Sequence, residues 1–210
     1  QDKKNNYWFG SDGEGVYRFD GNSILNFTTK DGLCSNQIRQ IQEDTLGNIF
    51  FSTLEGINKY DGNQMTKLQS IKSTDWKSEP NDLWFNMLGK RNENGPYRYD
   101  GKNLYQLEFP KHYLHDELTA RGINTFFSPY EVYCIYKDRK GIMWFGTSVF
   151  GACRFDGHSI KWMYEKDLTI VPAGGSFGIR SIFEDREGTF WLCNTLHRYV
   201  FDLDKTAQSD

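Results

Sequence analysis

The chain has 210 residues, enough for one large domain or two small ones that bury a core without metals or disulfides. Its 25 Lys and Arg against 28 Asp and Glu leave no excess positive charge to neutralise phosphates, so nucleic acid is not an expected partner. No apolar run approaches the roughly 18 to 20 residues that cross a bilayer, so no membrane span is predicted. Aromatic residues at 16% together with 20 Gly favour a β-rich fold with many tight turns.

An aromatic-rich strand recurs five times along the chain, which indicates a repeat architecture. The copies lie at residues 7–11, 49–53, 83–86, 143–147 and 190–194. Each is followed by a second strand that ends in an aromatic-Asp pair, at Phe19-Asp20, Tyr60-Asp61, Tyr99-Asp100, Phe155-Asp156 and Phe201-Asp202. With one strand before and one after this pair, the repeat predicts four strands, which we label A to D in chain order.

Two kinds of turn separate these strands. Asp-Gly after the first four C strands predicts a type I′ hairpin turn, because Gly adopts positive φ without steric cost. Between strands A and B, segments such as Glu43-Asp44 and Glu184-Asp185 end in Gly, and their Asp can accept bonds from nearby amides. We therefore interpret these carboxylates as turn elements without a chemical role.

The chain opens inside an A-to-B turn, because residues 1–8 align without a gap on residues 43–50. The first A strand is therefore absent, and only the polar tail at residues 203–210 is left to serve as the last D strand. Either upstream residues were removed from a longer product or the first blade has three strands. We favour the first explanation, because an open blade exposes an edge that invites pairing with another chain.

The repeat predicts an all-β fold, a five-bladed β-propeller of four-stranded antiparallel blades that is incomplete at the N-terminal blade. Adjacent aromatics such as Trp144-Phe145 lie on both faces of one strand, so both faces must be covered, as they are between neighbouring blades. We expect a single domain over residues 1–210, with blades near 1–30, 31–69, 70–108, 109–165 and 166–210.

The combined motifs resemble the two-component regulator propeller repeat. The resemblance is carried by Trp144-Phe145-Gly146-Thr147, by Arg154-Phe155-Asp156-Gly157, by Asp31-Gly32-Leu33 and by Ser35-Asn36-Gln37-Ile38. It covers nearly the whole chain, although repeat three has a long B-to-C segment and a degenerate A strand near Trp76. The resemblance implies an extracytoplasmic sensor domain of the kind found in bacterial hybrid histidine kinases, secreted proteins or lipoproteins, and it carries over no catalytic residue.

The largest departure from the period is the step of roughly 60 residues from Trp84 to Trp144, created by an insertion at residues 109–130. Loops that outgrow their repeat are where propellers hold function. The candidate ligand-binding residues in it are His112, Tyr113, His115, Arg121 and Phe126. His-x-x-His without a further matched cluster is insufficient for a metal site, and a short surface helix with solvated charges is the alternative.

Trp76 is a further candidate, because it lies outside the regular aromatic pattern in another long D-to-A connection. An exposed Trp offers sugars a flat apolar face with a polar edge, whereas the alternative is that Trp76 caps the blade core. The D-to-A loops should emerge on one face, where we expect the ligand cleft.

Catalysis and cofactors have little support. No Ser stands at a recognisable spacing from a His, and the four Cys form no CxxC, so we expect no catalytic residue, no metal and no cofactor. Cys134, Cys153 and Cys193 are expected to pack as small apolar groups.

The leading hypothesis is a non-catalytic, monomeric, extracytoplasmic sensor that binds a small molecule or an oligosaccharide after removal of an upstream signal. The alternatives are an interaction scaffold for another protein of the cell envelope and, third, a propeller glycosidase or lyase.

Overall fold

The computed structural model describes residues 1–87, 94–120, 128–163, 178–194 and 198–201, and its regular structure is almost entirely β-strand. The helices in these ranges are α1 (His115–Ala120) and a 3-10 turn at Thr29–Asp31. Neither has the length and apolar character that crossing a membrane requires. The predicted all-β class is confirmed.

The strands of the described residues form five sheets. The first contains β1 (Tyr7–Gly10), β2 (Val16–Phe19) and β3 (Ile24–Phe27). The second contains β4 (Ile38–Glu43), β5 (Ile49–Thr53), β6 (Ile57–Tyr60) and β7 (Met65–Lys67). The third contains β8 (Ser70–Ser73), β9 (Leu83–Phe85), β10 (Tyr97–Tyr99) and β11 (Leu104–Leu107). The fourth contains β12 (Val132–Lys137), β13 (Met143–Thr147), β14 (Ala152–Phe155) and β15 (Ile160–Met163). The fifth contains β16 (Ser181–Glu184), β17 (Phe190–Cys193) and β18 (Arg198–Phe201).

Four of these sheets follow the predicted antiparallel order of consecutive strands, but the third does not. Its strand β8 pairs in parallel with β11, at the D edge, and not with β9 at the A edge. Side chains of the second sheet satisfy carbonyl groups of this segment: Gln42 Nε2 donates to Trp84 O at 2.6 Å and Ser52 Oγ donates to Asn86 O at 2.7 Å. Two carbonyl groups at this edge are thus satisfied without an A strand, and the predicted antiparallel order of four consecutive strands is wrong for this sheet.

The first sheet has three strands, and residues before β1 form the predicted A-to-B turn. Asp2 N donates to Asn6 O at 2.9 Å, just as Asp44 N donates to Asn48 O at 3.0 Å. The expected burial on both faces fails for this sheet, because Phe9 is 55% exposed while Phe51, its equivalent in β5, is fully buried. The polar tail proposed as the last D strand lies outside the described residues.

The turns between strands C and D are not the predicted type I′ hairpins. Gly21 has a φ of 99°, but Asn5 is the only non-glycine with positive φ among the described residues, and type I′ needs positive φ at both central positions. The Asp20 carboxylate explains the difference, because its Oδ1 accepts the amides of Asn22 and Ser23 at 2.9 and 2.8 Å. An Asp side chain therefore replaces the backbone geometry of the tight hairpin.

The chain divides into two compact units, each with its own cores. The first unit comprises Gln1–Ser73, Ser78–Lys90 and Pro96–Leu107, and the second comprises Thr74–Lys77, Arg91–Gly95 and Glu108–Asp210. In the first unit, Phe51 faces a core with Trp8 and Tyr60, and Phe50 faces another with Phe85 and Tyr99. In the second, Trp144 stacks on Phe190 with ring centroids 4.5 Å apart. The single-domain organisation and its blade boundaries stay predictions.

An aspartate in the A-to-B turn binds the indole of the tryptophan that lies six residues later in strand B. In the fourth sheet, Asp138 Oδ1 accepts the amides of Lys140 and Ile142, and Asp138 Oδ2 accepts Trp144 Nε1–H at 2.9 Å. The same link recurs at 2.8 Å in Asp2–Trp8 and Asp185–Trp191. The turn carboxylates thus have a structural use beyond the backbone contacts that the sequence predicts.

We predict that Asp138→Asn destabilises the protein by about 1.5 to 3 kcal/mol, the range for a hydrogen bond to a charged group. Asn keeps one acceptor for the two amides, but its Nδ2 places a second donor against the indole N–H. Urea unfolding measures the loss, and adding Trp144→Phe should recover part of it. The matched control is Glu187→Gln, which removes an exposed carboxylate from another A-to-B turn, and equal losses for the two variants would contradict this assignment.

Acid should weaken the C-to-D turns between pH 4 and pH 2. The amide of Ser23 lowers the pKa of Asp20 to about 2, and the amide of Ser159 lowers the pKa of Asp156 to about 2. Since the unfolded pKa is about 3.9, these groups stabilise the fold above that pH, and the contribution is lost as pH falls through the folded pKa. Urea unfolding at pH 6, 4, 3 and 2 should show a shallower fall for Asp20→Asn/Asp156→Asn than for the wild type.

Candidate functional site

The insertion before the fourth sheet folds over the end of that sheet, and a buried histidine holds it there. His112 is 1% exposed, and its ring stacks on Phe150 with centroids 4.2 Å apart and an angle of 13°. Trp162 of β15 meets the same ring edge-on at 4.8 Å. Phe150 lies in the loop after β13, at the end of the sheet where β12 begins, so the insertion covers the D-to-A end of its blade.

A hydrogen-bond network fixes the backbone around His112. Its amide donates to the Tyr130 hydroxyl at 2.9 Å, and its Nδ1 accepts the amide of Leu114 at 3.1 Å. Because Nδ1 is an acceptor, the neutral ring carries its proton on Nε2. The Tyr130 hydroxyl also lies 3.2 Å from His115 Nδ1, and burial raises the pKa of Tyr130, so this hydroxyl stays protonated.

The Tyr113 ring is the solvent-exposed part of the aromatic group around His112. Its side chain is 68% exposed, although its ring stacks on His112 at 4.6 Å and 29°. We call the group of His112, Tyr113, Tyr130, Phe150 and Trp162 the aromatic shelf. An exposed ring backed by a buried stack offers a flat apolar face at low cost in side-chain entropy, and such a face suits a stacking ligand.

Trp76 packs at the base of the insertion and is half-buried. Its Nε1–H donates to Glu108 O at 3.0 Å, and its ring stacks on Phe109 with centroids 5.0 Å apart. It also meets Phe155 edge-on at 5.3 Å. Trp76 therefore ties the start of the insertion to the core of the fourth sheet.

The structure brings three of the predicted residues, His112, Tyr113 and His115, together in one network. Trp76 reaches that network through Phe109, whose ring lies 5.1 Å from Trp162. Arg121 and Phe126 lie outside the described residues. The short helix considered for this segment is observed as α1, with Asp116 of its first turn paired to Lys111 at 2.7 Å on the surface.

Sequence reasoning missed Phe150 as a part of the site. The signal was present, because Ser148-Val149-Phe150 places two large apolar residues in a B-to-C loop, where the first repeat has Asp12-Gly13-Glu14. Large apolar residues in a turn indicate that another segment covers them. Tyr130 and Trp162 carry no such signal, because each fits an ordinary strand or loop position.

Burial lowers the reactivity of the cysteines in strands β12 and β14. None of the four cysteines forms a disulfide, and burial raises the pKa of Cys134 to about 12, which opposes thiolate formation. Cys153 is fully buried, as expected for a small apolar group. In the part of the chain that the structure describes, no group of three His, Cys, Asp or Glu side chains is placed to hold a metal.

A sequence profile for the two component regulator propeller matches residues 127–149, the segment that contains β12 and β13. The match to the two-component regulator propeller repeat thus covers 23 residues of one predicted blade. This confirms the resemblance drawn from the sequence motifs. Curated proteins give no match to the chain.

Solved structures confirm the β-propeller fold. The chain is similar to the extracellular domain of the hybrid two component system BT3049 from B. thetaiotaomicron, with a TM-score of 0.63, 18% identity and coverage of 97% of this chain and 26% of that one. For the corresponding domain of BT4673 the TM-score is 0.62 at 18% identity, with coverage of 96% and 30%. Virginiamycin B lyase from Staphylococcus aureus gives 0.63 at 12% identity, with coverage of 95% and 67%. The repeat protein thus spans less than a third of the two Bacteroides domains.

We predict that Tyr130→Phe loosens the insertion without unfolding the sheets. Loss of the hydroxyl leaves the buried His112 amide without its acceptor, which costs about 1 to 3 kcal/mol. Hydrogen exchange at residues 109–120 should accelerate by at least tenfold, while exchange at β5 stays unchanged. Tyr99→Phe is the control, because the Tyr99 hydroxyl donates to Gly101 O in another turn. Hydrogen exchange at residues 109–120 that is as slow in Tyr130→Phe as in the wild type would contradict the proposed anchoring.

Proposed function

We propose that this repeat protein is a non-catalytic sensor propeller that acts outside the cytoplasm and binds a small ligand, an oligosaccharide being the favoured class, at the aromatic shelf. The observation that carries the proposal is the exposed Tyr113 ring held on the buried His112 and Phe150 stack. Aromatic faces bind sugars through their apolar C–H surfaces, and a ring already fixed in position loses little entropy on binding.

The location of the shelf supports a binding role. Propellers keep ligand contacts in loops that their blades hold rigidly, and Tyr113 is backed through His112 by Phe150 in the loop after β13 and by Trp162 of β15. Both Bacteroides proteins named above are extracellular domains of two-component systems, which supports a sensor in the same compartment.

The structural role of the aspartates that recur in the A-to-B turns supports a non-catalytic protein. Asp2, Asp138 and Asp185 each accept an indole N–H together with backbone amides, so their oxygens are committed to turns. The lyase among the similar structures shares 12% identity, a level at which the likeness extends to the fold alone.

A thermal-shift screen tests the proposal. The probes are maltooligosaccharides, xylooligosaccharides, mannooligosaccharides and oligogalacturonides. A ligand at about 100 times its Kd stabilises the native state by about 2.7 kcal/mol, a rise of roughly 5 to 10 °C in Tm for a chain of this size. No rise with any probe, together with co-purification of an envelope protein, would replace the sensor with the interaction scaffold. Turnover of a probe would instead establish an enzyme.

We predict that Tyr113→Ala lowers the affinity for the stabilising probe about tenfold, which corresponds to roughly 1.4 kcal/mol. The exposed ring contributes little to folding, so the Tm without ligand should stay within about 2 °C of the wild type. Calorimetric titration measures the affinity. Tyr7→Ala is the matched control, because Tyr7 is also an exposed tyrosine but lies in the first unit. Equal affinities in the two variants would place the ligand elsewhere.

A further inference from the structure

A second feature of the second unit is an arginine stacked on a tyrosine at the strand ends. The guanidinium carbon of Arg180, just before β16, lies 3.8 Å from the ring centroid of Tyr133 in β12. The cation–π contacts of the repeated C strands are longer, at 5.9 Å for Arg18 on Trp8 and 5.3 Å for Arg154 on Trp144. Arg180 therefore lies closer to its ring than these C-strand arginines lie to theirs.

Backbone hydrogen bonds and a glycine hold Arg180 next to Tyr133. Ile179 N donates to Thr147 O at 3.0 Å and Arg180 N donates to Cys193 O at 2.8 Å, so the segment is bonded to both β13 and β17. A Cβ on Gly178 would lie 2.4 Å from Tyr133 Cε2 and 2.7 Å from the Cα of Ser148. Glycine at this position is what allows the chain to pass so close to the tyrosine ring.

The charge of Arg180 has no acidic partner in the described residues. Arg39 occupies the equivalent strand-A position in β4, and its guanidinium pairs with Asp12 at 3.2 Å. Two other arginines are also paired, Arg98 with Asp82 and Arg139 with Glu184. Glu131 is 1% exposed and acts electrostatically on the Tyr133 hydroxyl, to which the Arg180 side chain also forms a hydrogen bond.

The geometry points to an anion-binding subsite: we propose that Arg180, held on Tyr133, binds the carboxylate or sulfate group of an acidic saccharide. A guanidinium stacked through one face keeps its N–H edges in a planar fork, the arrangement that binds carboxylate or sulfate oxygens bidentately. The inference rests on the proposed function, because it names the chemical class of the ligand of this sensor. The stack also reduces the side-chain entropy that Arg180 would lose on binding.

NMR titration of the whole chain with sodium glucuronate, glucose 6-sulfate and glucose tests the subsite. Saturable amide shifts at Gly178, Arg180 and Tyr133 are expected with the two acidic probes, at least tenfold weaker binding is expected with glucose, and 0.5 M NaCl should weaken the acidic probes. Arg180→Gln should lower their affinity at least tenfold. Arg180→Lys should fall between the two, because lysine keeps the charge but loses the fork.

Arg39→Gln is the matched control and should bind the acidic probes like the wild type, because Asp12 already neutralises that position. Unchanged binding in Arg180→Gln and Arg180→Lys, equal binding of glucose and glucuronate, or no saturable shift with either acid overturns the subsite. If a neutral oligosaccharide still binds and Tyr113→Ala still weakens it, the proposed function stands and only the acidic class fails. If no saccharide binds to the wild type, both fail.

Discussion

In three of the described sheets, one aspartate of the A-to-B turn connects the local chain reversal to the tryptophan of strand B. Asp138 binds two amides of its own turn through one oxygen and the Trp144 indole through the other. Trp144 in turn stacks on Phe190 of the fifth sheet. A buried tryptophan must satisfy its N–H, and this aspartate satisfies it from a position six residues earlier. The turn, the strand and the packing between sheets therefore depend on the same side chain.

The second sheet has phenylalanine where the fourth has tryptophan, and this difference shows that the hydrogen bond from the turn aspartate to strand B requires an indole N–H. β5 has Phe50 at the tryptophan position, and Phe has no N–H to satisfy. There Asp44 Oδ2 accepts Asn48 Nδ2–H at 2.7 Å, so the aspartate keeps its acceptors filled from within the turn. On the neighbouring strand C, Lys59 lies over the ring of Phe50, just as Arg154 lies over the ring of Trp144. A basic residue of strand C therefore makes a cation–π contact with the strand-B aromatic in both sheets.

The sequence predicts the strands well because their burial requirements are local. β5 and β13 have the predicted bounds, and all their residues are buried. The prediction failed where a side chain replaced a backbone contact, as at Asp20 in its turn and at Gln42 on the edge of β9. The insertion and several of its residues were predicted as a candidate site, but the stack of His112 on Phe150 was not, because it joins the insertion to the loop after β13 and no periodicity reports such a contact.

The two features proposed to bind a ligand depend on the fold in different ways. The insertion has one short helix, so Tyr113 owes its position to side-chain stacking on His112 and to the hydroxyl of Tyr130. Arg180 owes its position to backbone bonds with β13 and β17. Backbone bonds within sheets open only with the sheet, whereas a stacked loop opens locally at lower free energy. The two features therefore differ in the free energy at which they open, and the insertion opens at a lower free energy than the segment that carries Arg180.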